Sequence, residues 1–178
     1  MKRVILTKGL PASGKTTWAK QLVNDQPGKW KRINKDDLRA MLDDSHWSRG
    51  NEKFVLKMRD MMILLALKDD KNVIIDDTNY NPVHETRIRA LVADQAKVEI
   101  KEFNTDILTC IARDLKRQNS VGEKLIRNMY NRFLRPKNEV PKKTIIASPA
   151  IIVDLDGTLA HMGEQRSPYE WQKVDKDE

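Results

Sequence analysis

Short apolar runs alternate along the chain with longer stretches in which apolar residues recur every three or four positions. The short runs predict strands, and the longer stretches predict helices. Strands are expected at residues 4–7, 30–34, 73–75 and 98–103. Helices are expected from residue 16 until Pro27, from residue 36 or 37 onward, and over 51–70, 82–95, 106–118 and 123–134. This alternation is typical of an α/β domain with a mainly parallel central sheet flanked by helices.

The predicted helix over residues 51–70 carries an apolar stripe rich in methionine. Its members follow i, i+3 and i+4 spacing, which groups them along one side of a helix. They are Phe54, Val55, Met58, Met61, Met62 and Leu65. Because methionine fills irregular gaps in hydrophobic cores, we expect this stripe to pack into the core.

The length of 178 residues fits one domain with some excess. Residues 135–149 contain three prolines and several lysines and predict a linker, so we expect a first domain over 1–147 and a second segment over 148–178. The single cysteine, Cys110, excludes a disulfide scaffold and a Cys-based zinc site. The chain shows neither a membrane-spanning apolar run nor a signal peptide. We therefore expect a cytoplasmic protein without a membrane partner.

Charge is distributed unevenly. Residues 1–150 hold 30 basic and 19 acidic side chains, a net charge of +11, whereas residues 151–178 hold 3 and 7, a net charge of −4. Residues 113–143 are the most basic stretch, with 10 basic and 3 acidic side chains. Such a surface attracts the phosphates of a nucleotide or a nucleic acid, although a solvated helix face explains a charge run equally well.

Residues 9–16 match the pattern G-x-x-x-x-G-K-[ST] at every fixed position. Backbone N–H groups of such a loop surround phosphate oxygens at a helix N-terminus, where the dipole favours anions. Lys15 is spaced to reach the β- and γ-phosphates, and the Thr16 hydroxyl to bind Mg²⁺. Because a predicted strand precedes the loop and a predicted helix follows it, we expect a P-loop that binds a nucleoside triphosphate. The expected nucleotide-binding residues of this loop are Gly9, Leu10, Pro11, Ala12, Ser13, Gly14, Lys15, Thr16 and Thr17.

Two pairs of aspartates follow predicted strands. Asp76 and Asp77 end the strand at 73–75, where a P-loop enzyme places an acid that serves the metal. Adjacent residues point to opposite sides of a strand, so one of the two is expected to face the nucleotide and the other to cap the next turn. Asp36 and Asp37 follow the strand at 30–34, at the end where open α/β sheets bind ligands.

Asp36 is a candidate general base, because a carboxylate there would accept the proton of an acceptor hydroxyl and direct the oxygen at the γ-phosphate. A helix N-cap is the alternative role for the Asp36–Asp37 pair. Arg39 lies three residues further on and is placed to present a cation to the same acceptor. Arg113 and Arg117 stand at i and i+4 in the predicted helix over 106–118, a spacing that suits a clamp on phosphate oxygens. They predict a helical lid over the P-loop, with a simple exposed polar face as the alternative.

Together these residues resemble the kinase domain of bacteriophage-type polynucleotide 5′-kinase/3′-phosphatase, and the resemblance covers nearly the whole chain. It implies a P-loop kinase fold with a helical lid, ATP as phosphoryl donor, Mg²⁺ as cofactor, and 5′-OH DNA or RNA as acceptor. It also implies a location in the cytoplasm of an infected host cell if the protein is phage-encoded, and a possible homo-oligomer. The matching segments are the P-loop, residues 33–39, residues 75–79, the Arg113/Arg117 helix and residues 127–130.

The resemblance also implies roles for individual side chains. Asp36 matches the general base that contacts the 5′-hydroxyl, while Arg39 and Thr78 match residues that engage the next phosphate of the acceptor strand. Asp77 matches the acid near the metal, acting through water, which favours it over Asp76. Three further matches lie in the lid: Arg113 and Arg117 with the arginines that hold the donor phosphates, and Val121 with an apolar residue packed on the terminal base.

A second pattern, D-x-D-G-T, begins at Asp154 after a predicted strand at 151–153. In haloacid-dehalogenase-type phosphatases the first aspartate attacks phosphorus and the second acts as acid and base, which would assign those roles to Asp154 and Asp156. The resembling family fuses such a phosphatase after its kinase. Since 19 residues follow Leu159, we expect residues 148–178 to be the truncated, inactive start of a phosphatase domain.

The sequence as a whole predicts Mg²⁺-dependent transfer of the ATP γ-phosphoryl group to a nucleic acid 5′-hydroxyl, with Asp36, Lys15 and Arg117 as catalytic residues and ADP as product. Binding of the acceptor strand is expected to weaken as salt rises. Two alternatives stay open: a P-loop kinase of a small metabolite, and a nucleotide-dependent switch that transfers nothing to an acceptor.

Overall fold

A computed structural model describes residues 1–136 of the chain. Four parallel strands form one sheet in the order β2-β3-β1-β4. The strands are β1 (Lys2–Gly9), β2 (Trp30–Ile33), β3 (Asn72–Ile75) and β4 (Ala96–Phe103). The four strands predicted within residues 1–136 are present, and the predicted α/β class with a parallel sheet is confirmed. The strand predicted at 151–153 lies outside the described residues.

Six α-helices connect and follow the strands within residues 1–136. They are α1 (Lys15–Asp25), α2 (Lys35–Asp43), α3 (Arg49–Lys68), α4 (Pro82–Val92), α5 (Ile107–Leu115) and α6 (Glu123–Phe133). Four of them begin at a side chain that accepts a hydrogen bond from the first turn, a preferred N-cap arrangement. The capping residues are Asn34, Ser48, Asn81 and Asp106. None of the helices in this part of the chain has the length and apolar character needed to cross a membrane.

The sheet is covered on both faces, as its short apolar strands require. Residues on alternate sides of β1 show this, because Val4 and Leu6 pack on one face with α3 and α4, whereas Ile5 packs on the other with α1. Trp30 and Ile74 join Ile5 on the α1 face. The carboxyl ends of the four strands therefore meet at one edge between these layers, where open α/β sheets bind ligands.

The prediction that the methionine stripe of α3 packs into the core is wrong. Of its six residues Val55 is buried, whereas Met61 is 63% exposed and Phe54, Met62 and Leu65 are also exposed. The helix contains a second set at helical spacing, and this set faces the sheet: Val55, Arg59, Ile63, Ala66 and Leu67. Because α3 is apolar on more than one side, periodicity alone could not identify the face that the sheet covers.

Candidate active site

The P-loop connects β1 to α1 at the carboxyl edge of the sheet. Gly14 has a φ of 99° and Ala12 a φ of 60°, both left-handed values that curl the loop around its own amides. Gly9 is packed so tightly that a Cβ there would lie 2.6 Å from Ser13 Oγ and 2.9 Å from Phe103 Cβ. Because glycine has no Cβ, Gly14 adopts its positive φ without strain. The loop therefore has the form of a phosphate cradle at the N-terminus of α1.

Lys15 lies buried beneath this loop. Its Nζ donates hydrogen bonds to the carbonyl oxygens of Gly9 at 2.9 Å and Leu10 at 2.6 Å. Burial lowers the pKa of Lys15 to about 8, although the carboxylate of Asp76 opposes this shift. A buried ammonium held by neutral carbonyls is poised to exchange them for the oxygens of a bound phosphate.

Asp76 lies next to the P-loop. Its Oδ1 accepts a hydrogen bond of 3.3 Å from the Thr16 hydroxyl, and its Oδ2 one of 2.7 Å from Arg32 Nε. Burial raises the pKa of Asp76, while the hydrogen bonds from Arg32 and Thr16 act in the opposite direction. Arg32 also contacts Asp37 at 2.5 Å, so one guanidinium joins two of the four predicted aspartates.

Asp77 points toward the start of α2. Its Oδ1 accepts a hydrogen bond of 3.0 Å from the backbone N–H of Lys35, and within residues 1–136 its buried Oδ2 has no hydrogen-bond partner. Burial raises the pKa of this carboxyl. The two adjacent acids therefore have different partners, because Asp76 contacts the hydroxyl of Thr16 and Asp77 contacts the backbone of Lys35.

The residues around Thr16 fit a Mg²⁺ ion that is shared with a substrate. The described part of the chain holds no cluster of three or more His, Cys, Asp or Glu residues able to bind a metal by themselves. The Thr16 hydroxyl and the Asp76 carboxylate, which contact each other, are hard oxygen donors. The Asp77 carboxylate is a third such donor, and its buried Oδ2 has no partner within residues 1–136. Mg²⁺ is usually held by one or two such carboxylates together with substrate phosphates and water.

Asp36 and Arg39 line the same cleft from the first turns of α2, which follows β2, two strands away from β1 and its P-loop. The Asp36 side chain is 84% exposed, and its Oδ1 lies 2.5 Å from Arg39 Nη1. Arg39 donates two further hydrogen bonds of 2.8 Å each to the carboxylate of Glu52 in α3. Thr78, after β3, also lines the cleft, and its carbonyl oxygen accepts a hydrogen bond of 3.4 Å from the backbone N–H of Gly9. The cleft thus presents an accessible carboxylate beside a cation whose orientation Glu52 fixes.

Helices α5 and α6 form the wall over the P-loop. Leu10 packs with Cys110, Ile111 and Ile126, which attaches these helices to the loop. The predicted helix over 106–118 is shorter than expected, because α5 ends at Leu115 and Arg117 lies in the turn that follows. Arg117 and Arg113 nevertheless both line the cleft, and Arg117 contacts Asp114.

A single cleft of about 930 Å³ brings most of these groups together. The predicted site residues that line it are Pro11, Ala12, Ser13, Gly14, Lys15, Thr16, Thr17, Asp36, Arg39, Asp77, Thr78, Arg113, Arg117 and Val121. Gly9 and Leu10, the first two residues of the loop, are buried and do not line the cleft. Asp154 and Asp156 fall outside the described residues.

Lys35 lines the cleft and was not among the predicted site residues. Three further charged residues that were not predicted do not line the cleft themselves but contact residues that do: Arg32, Glu52 and Asp114. Each of them pairs with a predicted residue, Arg32 with Asp76, Glu52 with Arg39 and Asp114 with Arg117. Only the Asp114–Arg117 pair was predictable from the sequence, because the two residues are three positions apart at a helix end. The other two pairs join segments that are distant in sequence.

Family models match both parts of the chain. A model described as "AAA domain" matches residues 4–136, and one described as "Polynucleotide kinase PNKP phosphatase domain" matches residues 148–178. The second match begins in the segment that contains the D-x-D-G-T pattern. These matches confirm the resemblance that the sequence motifs indicated.

Several curated proteins are similar to this chain. A protein of Autographa californica nuclear polyhedrosis virus, named as a bifunctional polynucleotide kinase/RNA ligase, is 27% identical over 99% of this chain and 28% of its own length. The L-seryl-tRNA(Sec) kinase of Methanococcus maripaludis is 26% identical over 75% of this chain and 53% of its own length. The chain thus spans about a quarter and about half of these relatives.

Solved structures share the fold. A chain in a structure of the Pnkp1/Rnl/Hen1 RNA repair complex matches with a TM-score of 0.66 and 26% identity, covering 99% of this chain and 63% of that chain. The APS kinase CysC of Mycobacterium tuberculosis, solved in complex with AMPPNP and APS, matches with a TM-score of 0.52 and 20% identity, covering 65% of this chain and 69% of that chain. The second likeness concerns the fold alone.

Proposed function

The chain belongs to the AAA-domain family whose model spans residues 4–136, and we propose that it transfers the γ-phosphoryl group of ATP to the 5′-hydroxyl of DNA or RNA. The observation that carries this proposal is the shared cleft, which is lined both by the P-loop after β1 and by the Asp36–Arg39 pair after β2. Donor and acceptor sites in one cleft allow direct transfer between two bound substrates.

The P-loop binds the donor. Its amides surround the phosphate chain, and the Lys15 ammonium leaves the carbonyls of Gly9 and Leu10 to contact the β- and γ-phosphates. This contact places positive charge where negative charge develops as the γ-phosphoryl group departs. Arg113 and Arg117 extend that charge from the lid, with Arg117 as the principal contact.

Thr16 and Asp76 hold the metal in this proposal. They are assigned this role because the Thr16 hydroxyl and the Asp76 carboxylate lie 3.3 Å apart at the P-loop. Asp77 supports the ion through water. A bound Mg²⁺ neutralises charge on the phosphate oxygens and orients them. Arg32 holds Asp76 from the other side and keeps its carboxylate directed at Thr16.

Asp36 acts on the acceptor. It accepts the proton of the 5′-hydroxyl as that oxygen bonds to the γ-phosphorus, while the bond from phosphorus to the β–γ bridging oxygen breaks and ADP leaves. Arg39 and Thr78 hold the phosphate that follows the terminal nucleotide, and Val121 packs on its base. These contacts select an acceptor that carries a backbone phosphate.

Two observations favour a polynucleotide over a small metabolite as acceptor. Residues 1–150 carry a net charge of +11, from 30 basic and 19 acidic side chains, which attracts a strand through its phosphates. The relatives named as a polynucleotide kinase/RNA ligase and as part of an RNA repair complex match 99% of this chain.

The test is transfer of labelled γ-phosphate to a 5′-OH oligonucleotide by the wild type, Asp36→Asn and Asp44→Asn. Removing a general base is expected to lower kcat about 10²- to 10⁴-fold. Asp44, an exposed aspartate just beyond the C-terminal end of α2, provides the matched control and should retain wild-type kcat. Wild-type kcat in Asp36→Asn would refute the base assignment.

A competition experiment separates this function from the two alternatives. A 5′-OH oligonucleotide should accept phosphate in preference to a panel of sugars and nucleosides. Preference for a panel member would indicate a small-metabolite kinase. Slow ATP hydrolysis that 5′-hydroxyl ends do not alter would indicate a nucleotide-dependent switch.

A further inference from the structure

The turn that carries Arg117 and Val121 is organised around one buried carboxylate. Asp114, in the last turn of α5, is fully buried. Its Oδ2 accepts hydrogen bonds from the Ser120 hydroxyl at 2.6 Å and from the backbone N–H groups of Val121 and Gly122 at 3.0 Å each. Its Oδ1 accepts a hydrogen bond from Arg117 Nη2. Four donors from a single turn thus converge on one side chain.

These donors keep the buried carboxylate charged. Burial by itself would raise the pKa of Asp114, but the hydrogen bonds from Ser120, Arg117 and the Gly122 N–H outweigh burial and hold the pKa below its usual value. An ionised carboxylate without partners would be strongly unfavourable inside a protein. The turn over residues 117–122 therefore stabilises the charged Asp114 by donating hydrogen bonds to it, and the same hydrogen bonds fix the conformation of the turn.

Asp114 contacts two residues that line the cleft, Arg117 and Val121. Asp114 engages one nitrogen of Arg117, a side chain that is 46% exposed and lines the cleft. A guanidinium has five N–H donors, so the others stay available to phosphate oxygens. The same carboxylate fixes the backbone at Val121, which also lines the cleft and which the proposed function assigns to the acceptor. We propose that Asp114 is a positioning residue that orients Arg117 toward the donor phosphates and Val121 toward the acceptor.

This inference rests on the proposed function for its acceptor side, whereas its donor side concerns nucleotide binding alone. An asparagine at this position would have one accepting oxygen and an N–H₂ group that faces other donors. It would therefore release Arg117 or the turn. Ser120→Ala is a milder change, because it removes one donor from Oδ2 and leaves the charge in place.

The experiment measures the affinity of the full chain for a non-hydrolysable ATP analogue with Mg²⁺, in a double-mutant cycle of Asp114→Asn and Arg117→Ala. Asp114→Asn is expected to weaken binding about tenfold, within the range for charge-assisted hydrogen bonds. In the Arg117→Ala background the same change should alter affinity by less than about twofold, since residues that act through one another are not additive. Ser120→Ala should show a smaller loss that also disappears without Arg117.

Three outcomes would overturn the proposal. One is wild-type affinity in Asp114→Asn. Another is an Asp114→Asn loss that persists in full in the Arg117→Ala background, because such a loss reports only on folding. If Asp114→Asn fails to fold, the Ser120→Ala cycle decides, and a loss that persists without Arg117 overturns the proposal. Because analogue binding needs no acceptor, a wild type that binds ATP without phosphorylating oligonucleotides would refute the proposed function and leave this cycle interpretable.

Discussion

Arg39 and Glu52 form a two-pronged ion pair between α2 and α3, with both hydrogen bonds measuring 2.8 Å. Their side chains are about one-fifth exposed; Arg39 lines the cleft, whereas Glu52 holds it from behind without lining the cleft itself. Hydrogen bonds from Arg39 lower the pKa of Glu52, so the carboxylate is charged at neutral pH. Glu52 thereby fixes the direction in which Arg39 faces Asp36 and an incoming acceptor.

Glu52→Gln is expected to raise the KM for a 5′-OH oligonucleotide about three- to tenfold, because a neutral amide cannot hold the Arg39 fork in two charge-assisted hydrogen bonds. The KM for ATP should stay unchanged, since Glu52 lies on the acceptor side. Glu85→Gln serves as the control, because Glu85 pairs at 2.8 Å with Arg89 on α4, and Arg89, unlike Arg39, does not line the cleft. An equal rise in both KM values would contradict the assigned role.

ATP affinity is expected to depend on the protonation of Lys15. The pKa of this residue is about 8 in the free protein, and bound phosphates favour the protonated form, so ATP binding takes up a proton above this pH. Affinity should therefore be highest below pH 8 and fall up to about tenfold between pH 7 and pH 9. Titration calorimetry at several pH values measures this change.

The matched variant for this experiment is Lys15→Arg. A guanidinium stays charged throughout this pH range, so the variant should show a flatter profile whatever its absolute affinity. A slope in Lys15→Arg as steep as that of the wild type would assign the pH dependence to another group.

Asp76→Asn and Asp77→Asn are expected to differ in the Mg²⁺ concentration that each variant needs for phosphoryl transfer. Because Asp76 contacts Thr16, its amide variant should raise the Mg²⁺ concentration for half-maximal phosphoryl transfer about tenfold, the effect expected of removing a group next to the metal. Asp77→Asn should produce a smaller rise. The reverse order would return the metal role to Asp77, as the family resemblance implies. Thermal unfolding of both variants checks that each one folds.

Gly9→Ala is expected to destabilise the protein by about 1–3 kcal/mol, the range for overpacking. The added Cβ would lie 2.6 Å from Ser13 Oγ and 3.1 Å from the Phe103 carbonyl oxygen, so the P-loop or β4 must shift. Gly50→Ala is the control, because Gly50 lies in α3 and its Cβ would meet nothing closer than Ser48 Oγ at 3.7 Å. Comparable unfolding midpoints for the two variants would contradict this reasoning.

The elements and the phosphate-binding loop were predictable from the sequence because each depends on residues close together in the chain. The apolar runs located all four strands, and the caps at Asn81 and Pro82 located the start of α4. The glycines and Lys15 define a loop within eight consecutive residues. The buried side of α3 was wrongly predicted, because that helix is apolar on more than one side and only the sheet determines which side is covered.

Contacts between distant segments required the tertiary structure. Arg32 and Asp76 are 44 residues apart, and they meet because β2 and β3 pair in parallel and end at the same edge of the sheet. Arg39 and Glu52 meet because α2 packs on α3. The sequence alone thus determined the helices, the strands and the phosphate loop, since these follow from short-range periodicity and backbone preference. The order of the strands and the packing of the helices decided which charged side chains pair, because ion pairs form between whichever groups folding brings within reach.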